Sequence, residues 1–247
     1  MGLIDKLKAI GDAIREKSGK SDLIPLSDMP EEIRGISGSQ LEFNDGSGYG
    51  LIFPGSVISV NLPGVTELHD FAFAGEGNWQ SLKRVTLPDV RSIGTSAFEY
   101  AQALELSPED LPNVTRIGAS AFFNCGSLKT VQLPNIETIE AKTFESCGGL
   151  TVAELPNANI IRTEAFRHCF NLKTVHAPMV SQIESNAFSN CSSLTEVNFP
   201  DVVFLGDRAY SQCRNLTSVR FPKLIGIGDY IFENCESLTR ADFADVT

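Results

Sequence analysis

Apolar residues recur every 22 positions over the second half of this chain. Each unit has an aromatic residue, a cysteine three positions later and a leucine three positions after that. The aromatic residues are Phe122, Phe144, Phe166, Phe188, Tyr210 and Phe232, the cysteines are Cys125, Cys147, Cys169, Cys191, Cys213 and Cys235, and the leucines are Leu128, Leu150, Leu172, Leu194, Leu216 and Leu238. One unit reads I-x-x-x-A-F-x-x-C-x-x-L-x-x-V-x-L-P-x-V-x-x. A fixed period of this length indicates stacked structural repeats.

The same pattern continues towards the N-terminus when short insertions are allowed. Residues 93–114 form a unit with two extra residues around "SPED", and residues 68–90 form one with three extra around "GEGNW". A leading strand in "SVISVNLPGV" precedes them. The sequence therefore predicts eight units behind a partial one.

Within a unit, the L-x-x-V-x-L segment alternates like a strand with one buried side. Val131 and Leu133 are expected to face the core, and Gln132 to face outward. In the A-F-x-x-C segment, the four-residue spacing of Ala121 and Cys125 predicts a short helical turn. One unit cannot bury its apolar side alone, so units must stack with parallel strands about 4.8 Å apart, giving a rod of roughly 40 Å.

This pattern, over residues 57–247, resembles the BspA-like leucine-rich repeats of bacterial cell-surface proteins, in which L-x-x-V-x-L forms the strand. The resemblance implies an α/β repeat solenoid, a right-handed horseshoe or rod with a parallel sheet. Characterised members of this family are implicated in adhesion to host or matrix proteins. The resemblance therefore implies a recognition or adhesion module at a bacterial cell surface.

Two further segments precede the repeats. An amphipathic stripe of Leu3, Leu7, Ile10 and Ile14, followed by a capping signal at Asp28, predicts two short helices over residues 1–38. The turn-rich "NDGSGYG" between apolar pairs predicts a β-hairpin over residues 39–56.

The predicted helical segment has three possible roles: a cap on the first coil, a contact for homo-oligomers, or a tether to a larger assembly. The amino-acid sequence of this segment, "LKAIGDAIREKSGKSDLIPLSDMPEEIRGI", also resembles the leading segment of tail-associated proteins of phages and prophages of Gram-positive gut bacteria. That resemblance implies an alternative function, a structural or receptor-binding part of a tail-like assembly.

Composition narrows the class of partner. The net charge of -11 argues against nucleic acid and against an anionic membrane surface. There is no run of 18 apolar residues and no apolar core of the signal-peptide type near the N-terminus, so we expect no membrane insertion and no secretion signal in this chain. The location stays open between cell surface and virion.

The cysteines are expected to be structural. Stacked coils hold equivalent side chains in parallel, with Cβ atoms about 4.8 Å apart where a disulfide needs about 3.8 Å. A line of sulfurs also cannot converge on a tetrahedral zinc ion. Of the three histidines, His168 is predicted to be a surface turn residue, and only His176 has a suggestive neighbour, Glu154, in a cross-strand pair. We therefore predict no enzyme, no cofactor and no metal.

The outward side of the strands is the remaining candidate for a functional surface. Two rows of side chains should stand there, and their mixture of Glu, Arg, Asn, Thr and His favours a protein or glycan partner, unless they are merely solvated. The candidate partner-binding residues are Arg84, Thr86, Thr130, Gln132, Glu154, Thr174, His176, Glu196, Asn198, Ser218 and Arg220.

Overall fold

The structure, a computed structural model, describes residues 42–43, 51–52, 59–62, 64–74 and 79–243. The two helices predicted for residues 1–38 lie outside the described residues. The strands, in chain order, are β1 (Glu42–Phe43), β2 (Leu51–Ile52), β3 (Ser59–Asn61), β4 (Glu67–Leu68), β5 (Arg84–Thr86), β6 (Ser92–Ile93), β7 (Arg116–Ile117), β8 (Thr130–Gln132), β9 (Thr138–Ile139), β10 (Val152–Glu154), β11 (Ile160–Ile161), β12 (Thr174–His176), β13 (Gln182–Ile183), β14 (Glu196–Asn198), β15 (Phe204–Leu205), β16 (Ser218–Phe221), β17 (Gly226–Ile227) and β18 (Arg240–Phe243).

The chain winds into a solenoid of parallel strands, as the repeat predicts. Among the described strands, only β1 and β2 pair antiparallel, within the segment for which the sequence predicts a hairpin. Elsewhere each strand pairs in parallel with strands of adjacent coils, and Val152 lies beside Thr174 one coil further on. We call β3, β5, β8, β10, β12, β14, β16 and β18 the long-strand face, and β4, β6, β7, β9, β11, β13, β15 and β17 the short-strand face.

The third side of each coil is built from β-turns. Within residues 79–243 the structure contains no helix, so the helical turn predicted for A-F-x-x-C is wrong. In residues 118–125, the Ala121 N–H donates to the Gly118 carbonyl and the Cys125 N–H donates to the Phe122 carbonyl. Ser120 and Asn124 both have a φ of 56°, the positive φ that type II turns require at their third position. We call this segment and its equivalents in the other coils the turn face.

The β-turns of the turn face are stabilised by backbone hydrogen bonds that connect one coil to the next. The N–H groups of Ser120, Phe122 and Asn124 donate to carbonyl groups of the following coil, at 2.9, 2.9 and 2.8 Å. The left-handed residues aim alternate N–H groups along the solenoid axis, whereas a helix would keep them inside its own coil. The same pattern recurs in the later coils, and the three sides of the solenoid are thus hydrogen-bonded between coils.

A column of stacked aromatic rings fills the core. Its members are Phe73, Phe98, Phe122, Phe144, Phe166, Phe188, Tyr210 and Phe232. Neighbouring ring centroids are 5.1 to 5.9 Å apart. The indole ring of Trp79 meets Phe73 edge-on at 5.0 Å at the N-terminal end of the column. Offset stacking of this kind adds to the burial energy of each ring.

Tyr210 is the single tyrosine in this column, and its hydroxyl is buried without a hydrogen-bond partner. Burial also raises the pKa of this phenol well above its usual range. Because an unpaired buried hydroxyl is destabilising, we expect Tyr210→Phe to raise the free energy of unfolding by about 1 kcal/mol. Equilibrium denaturation in urea would measure the change. A destabilised variant would show that the hydroxyl is bonded in solution.

The cysteines make hydrogen bonds as well as filling space. The Cys147 thiol lies 3.0 Å from the carbonyl oxygen of Phe122 in the preceding coil, and this oxygen also accepts the Cys125 N–H. The other five cysteines repeat the contact at 3.1 Å. All six thiols are free, and only Cys235, in the last coil, is partly exposed. Each thiol therefore acts as a hydrogen-bond donor to the preceding coil in addition to filling space, a contact that the sequence did not reveal.

Candidate partner-binding face

The long-strand face displays the predicted candidate residues on its outer side. In each three-residue stretch the middle residue points inward and the outer two point away from the core; Val85 and Ala153, for example, are fully buried. The outward residues form two rows in register along the axis. The first row contains Thr130, Val152 and Thr174, and the second contains Gln132, Glu154 and His176. Their role in binding stays a prediction.

The rows are interrupted between β5 and β8. The "SPED" insertion replaces the strand of the intervening coil by a loop, in which the Asp110 carboxylate accepts the Ser107 N–H at 2.6 Å. Arg84 and Thr86 are thereby separated from Thr130 and Gln132. A cavity of about 20 Å³ beside this loop has room for one water molecule and no ligand.

A second interruption lies between β12 and β14. In the neighbouring coils, the Leu155 N–H donates to the His176 carbonyl at 2.8 Å and the Phe199 N–H donates to the Arg220 carbonyl at 3.2 Å. The Ala177 N–H makes no such bond to Asn198, and β12 and β14 belong to different sheets. Ala177 and Phe199 occupy equivalent positions in successive coils. We attribute this break to their difference in size, because a phenyl ring holds its strand farther from the core than a methyl group does.

The predicted pair of Glu154 and His176 lies in register but forms no ion pair. His176 is exposed, and Arg220 is bound to Asp242 on the adjacent strand, with 3.3 Å between Nε and Oδ2. Apart from the pair of Arg220 and Asp242, the charged and histidine side chains of the two rows stand singly, with no convergent cluster among the described residues. Among the described residues, no three His, Cys, Asp or Glu side chains come together as metal ligands would.

Two apolar side chains at the borders of this face were missed. Phe170 is 50% exposed and Met179 is 56% exposed, on either side of β12 in the same coil. The sequence contained the information needed to find these two residues, because both depart from the residue types at the equivalent positions of other coils. Phe170 stands where other coils have Gly126, Gly148 or Ser192, and Met179 stands where they have Asn135, Asn157 or Asp201. Exposed aromatic and methionine side chains are enriched in the centre of protein interfaces.

Comparison with known proteins decides the family. The family model "BspA type Leucine rich repeat region" matches residues 54–173, 100–204 and 159–247 in six copies. The chain belongs to the BspA-type leucine-rich repeat family. The resemblance carried by the 22-residue unit is therefore confirmed. Proteins of leucine-rich repeats typically mediate protein interactions and are generally non-catalytic.

Solved structures of bacterial leucine-rich repeat proteins share the fold. A leucine-rich repeat protein from Bacteroides ovatus is 29% identical, with a TM-score of 0.65 over 79% of this chain and 55% of that one. The T. pallidum leucine-rich repeat protein is 26% identical, with a TM-score of 0.51 over 85% and 90%. A leucine-rich cell surface protein from Faecalibacterium prausnitzii, 21% identical with a TM-score of 0.53 over 88% and 78%, shows the fold alone.

This BspA-type chain thus spans about half the length of the Bacteroides ovatus protein. A search of curated proteins finds no match. Within its described residues, none of the chain forms a helix that is long and apolar enough to span a lipid bilayer.

On the turn face, the BspA-type repeat carries a square of four alternating charges that sequence reasoning missed. Lys142 and Glu145 stand in one coil, and Glu164 and Arg167 occupy the same positions in the next. Each cation meets both anions: Lys142 Nζ lies 3.8 and 3.1 Å from Glu145 and Glu164, and Arg167 Nη1 lies 3.7 and 2.6 Å from them. Like charges occupy the diagonals. The spacing of three and 22 residues could have revealed this square once the turn face was known.

Glu145 is the least exposed member of the square, and burial raises the pKa of its carboxyl group, helped by the charge of Glu164. A raised folded-state pKa contributes stability that is complete below the unfolded pKa and is lost as pH rises through the folded pKa. Glu145→Gln avoids this loss. We therefore expect the variant to be more stable than the wild type at pH 7, with the difference shrinking towards pH 4.

Thermal or urea unfolding of Glu145→Gln at both pH values would test the sign. Glu164→Gln is the matched control. It removes contacts to Lys142 and Arg167 and should lower the free energy of unfolding by about 1 kcal/mol at pH 7. A loss of stability in Glu145→Gln at pH 7 would show that its ion pairs outweigh its burial.

His168 lies beside this square in a left-handed turn position, with a φ of 61°. It is half-buried, its Nδ1 has no partner, and its ring centroid lies 5.6 Å from that of Phe170. Burial lowers the pKa of this imidazole, and the neighbouring charge of Arg167 lowers it further. We therefore expect a neutral side chain at pH 7.

Proposed function

We propose that this chain is a recognition and adhesion module that binds a protein or glycan partner through its long-strand face. The observation that supports the proposal is the pair of in-register rows of outward, mostly polar side chains, exposed or half-buried, on a hydrogen-bonded frame. A rigid frame binds without a large ordering cost, so variable side chains upon it can select a partner.

The coil that contains β12 is the best centre for such an interface. Thr174 and His176 are exposed there, and Phe170 and Met179 stand at the two borders of the same coil. Aromatic and methionine side chains such as Phe170 and Met179 are enriched in protein interfaces relative to the rest of the surface. This chemistry favours a protein over a glycan as the partner.

A part in a phage tail-like assembly rests on residues 1–38, which lie outside the described residues. No feature of residues 59–243 favours that alternative over the recognition module.

The proposal is tested by reversing two charges on the face. Arrays of extracellular proteins and glycans would identify a partner for the wild type, and surface plasmon resonance would then measure its affinity for the double variant Glu154→Lys/Arg220→Glu. We expect an affinity loss of about tenfold or more, because both charged groups point outward in the second row, Glu154 half-buried and Arg220 exposed.

The matched control is Glu137→Lys/Arg91→Glu, which makes the same charge changes beside the short-strand face. It should leave the affinity unchanged, and both variants should retain the thermal stability of the wild type. Equal affinities for the wild type and Glu154→Lys/Arg220→Glu would refute binding through this face.

A further inference from the structure

One corner of the solenoid, where the turn face meets the long-strand face, carries an exposed ring above bare backbone. The Phe170 ring is 50% exposed, and its Cδ2 atom would stand 3.8 Å from a Cβ added at Gly148 in the preceding coil. The next residue, Gly149, also lacks a side chain, and a Cβ added there would stand 3.2 Å from the Nζ atom of Lys129. The ring and the ammonium group therefore lie over adjacent residues of one coil.

A second lysine completes this corner. The Thr151 N–H donates to the Lys129 carbonyl at 2.8 Å, and the Lys173 N–H donates to the Thr151 carbonyl at 2.9 Å. The two lysines therefore hold the same position two coils apart, a backbone separation of about 10 Å. Both of their side chains are exposed. We use the name Phe170 corner for the group formed by Lys129, Gly148, Gly149, Phe170 and Lys173.

The two ammonium groups have no acidic partner within the described part of the chain. Glu105 holds the position of Lys129 in the preceding coil, and Glu196 lies in the coil that follows Lys173. Neither carboxylate forms an ion pair with either lysine. In a chain with a net charge of -11, two exposed cations without such a partner are available to a negatively charged ligand.

We propose that the Phe170 corner binds an acidic residue of a protein partner together with the apolar residue next to it. A carboxylate placed between Lys129 and Lys173 would accept hydrogen bonds from both ammonium groups. The apolar neighbour would cover the exposed half of the Phe170 ring. This inference rests on the proposed function, because it names the chemistry of the partner that the long-strand face would bind.

A single acidic residue fits this corner better than a polyanion does. A nucleic acid or a polyanionic glycan needs a series of cations along its path. On the long-strand face, however, Glu154 and Glu196 point outward on the strands to either side of β12. These two carboxylates would repel a continuous line of negative charges. The corner therefore favours one acidic residue flanked by uncharged ones.

Short synthetic peptides test this chemistry without knowledge of the partner. The probe is a fluorescent Gly-Ser-Asp-Phe-Gly-Ser peptide with blocked termini, and its counterpart has Asn in place of Asp. Fluorescence polarisation at low salt would give the Kd of each peptide for the full chain. We expect the Kd of the Asn peptide to be at least about tenfold higher, because it lacks the carboxylate that the two lysines would bind.

Variants of the chain assign the binding to the corner. Lys129→Gln/Lys173→Gln should raise the Kd of the Asp peptide at least about tenfold and remove its advantage over the Asn peptide. The matched control, Arg91→Gln/Arg116→Gln, also removes two exposed cations, but beside the short-strand face, and it should leave the Kd unchanged. Phe170→Ala should raise the Kd of both peptides.

Four results would overturn the proposal: no measurable binding of the Asp peptide, equal Kd values for the two peptides, equal effects of the two double variants, or an unchanged Kd in Phe170→Ala. Polygalacturonate serves as a further probe. If it bound more tightly than the Asp peptide and lost its affinity in Lys129→Gln/Lys173→Gln, the corner would belong to an acidic glycan instead.

Once a partner is identified, surface plasmon resonance separates this inference from the proposed function. Lys129→Gln/Lys173→Gln should weaken binding of the partner about tenfold at low salt, and less at high salt, where exposed charges are screened. If only Glu154→Lys/Arg220→Glu weakened binding, the long-strand face would be correct and the Phe170 corner wrong. If neither double variant weakened binding, both proposals would fail.

Discussion

Phe166→Ala is expected to lower the free energy of unfolding by about 4 kcal/mol. The ring is fully buried, and its centroid lies 5.3 Å from both Phe144 and Phe188. Truncation removes the burial energy of one ring and breaks two stacking contacts. It also leaves a cavity in a core whose coils touch only their neighbours, so the flanking coils cannot collapse around it without losing their hydrogen bonds.

Equilibrium unfolding in urea, followed by circular dichroism, would measure this loss. Phe170→Ala is the matched control, because it removes the same atoms four residues away from a ring that is half exposed. Its cost should stay below about 1 kcal/mol. Similar losses in the two variants would mean that the aromatic column does not dominate the stability of this fold.

The five buried thiols should react with a thiol reagent at least about 1,000-fold more slowly in the native protein than in denaturant. Cys235 should react first, because it alone is partly exposed. Burial raises the pKa of Cys147 to about 12 and that of Cys235 to about 11, so little of the reactive thiolate forms at pH 8. Access requires local unfolding, since each sulfur lies against a backbone carbonyl group.

Timed alkylation followed by intact mass analysis would count the modified thiols, and all six should react in guanidinium chloride. Because the folded-state pKa of these thiols is raised, their contribution to stability is complete below about pH 9 and is lost as the pH rises further. Fast native labelling of Cys147, or a mass deficit that reveals a disulfide, would contradict the structural role.

The strands could be predicted from sequence because their information is local and periodic. Each L-x-x-V-x-L segment specifies which side of a strand is buried, and identical spacing specifies that strands of successive coils lie in register. Val131 and Gln132 accordingly face inward and outward as predicted. The positions of the outward rows follow from the same two facts.

The turn face could not be predicted in the same way. Ala121 and Cys125 come to the same side of the backbone in a helical turn and in a pair of β-turns, so their spacing does not distinguish the two. The deciding feature is the left-handed residues, and Lys142, Glu164 and His168 hold such positions without the glycine or asparagine that would have signalled them.

The interruptions of the long-strand face depend on relations between coils. In the repeat, Ala177 and Phe199 occupy the same apolar position of successive coils. Only their adjacency in space reveals that the difference in their sizes keeps β12 and β14 from pairing. Phe170 and Met179 were overlooked for a related reason, because they depart from positions whose exposure the strand pattern does not describe.

The break between β12 and β14 also bears on how the protein unfolds. In a linear repeat array, cooperativity depends on the free energy of each interface between neighbouring units. The interface beside Ala177 keeps its turn-face and short-strand bonds but lacks those of the long-strand face, so it is the weakest link among the later coils. The coils that follow it are therefore expected to form a separate foldon, which can melt while the earlier coils stay ordered.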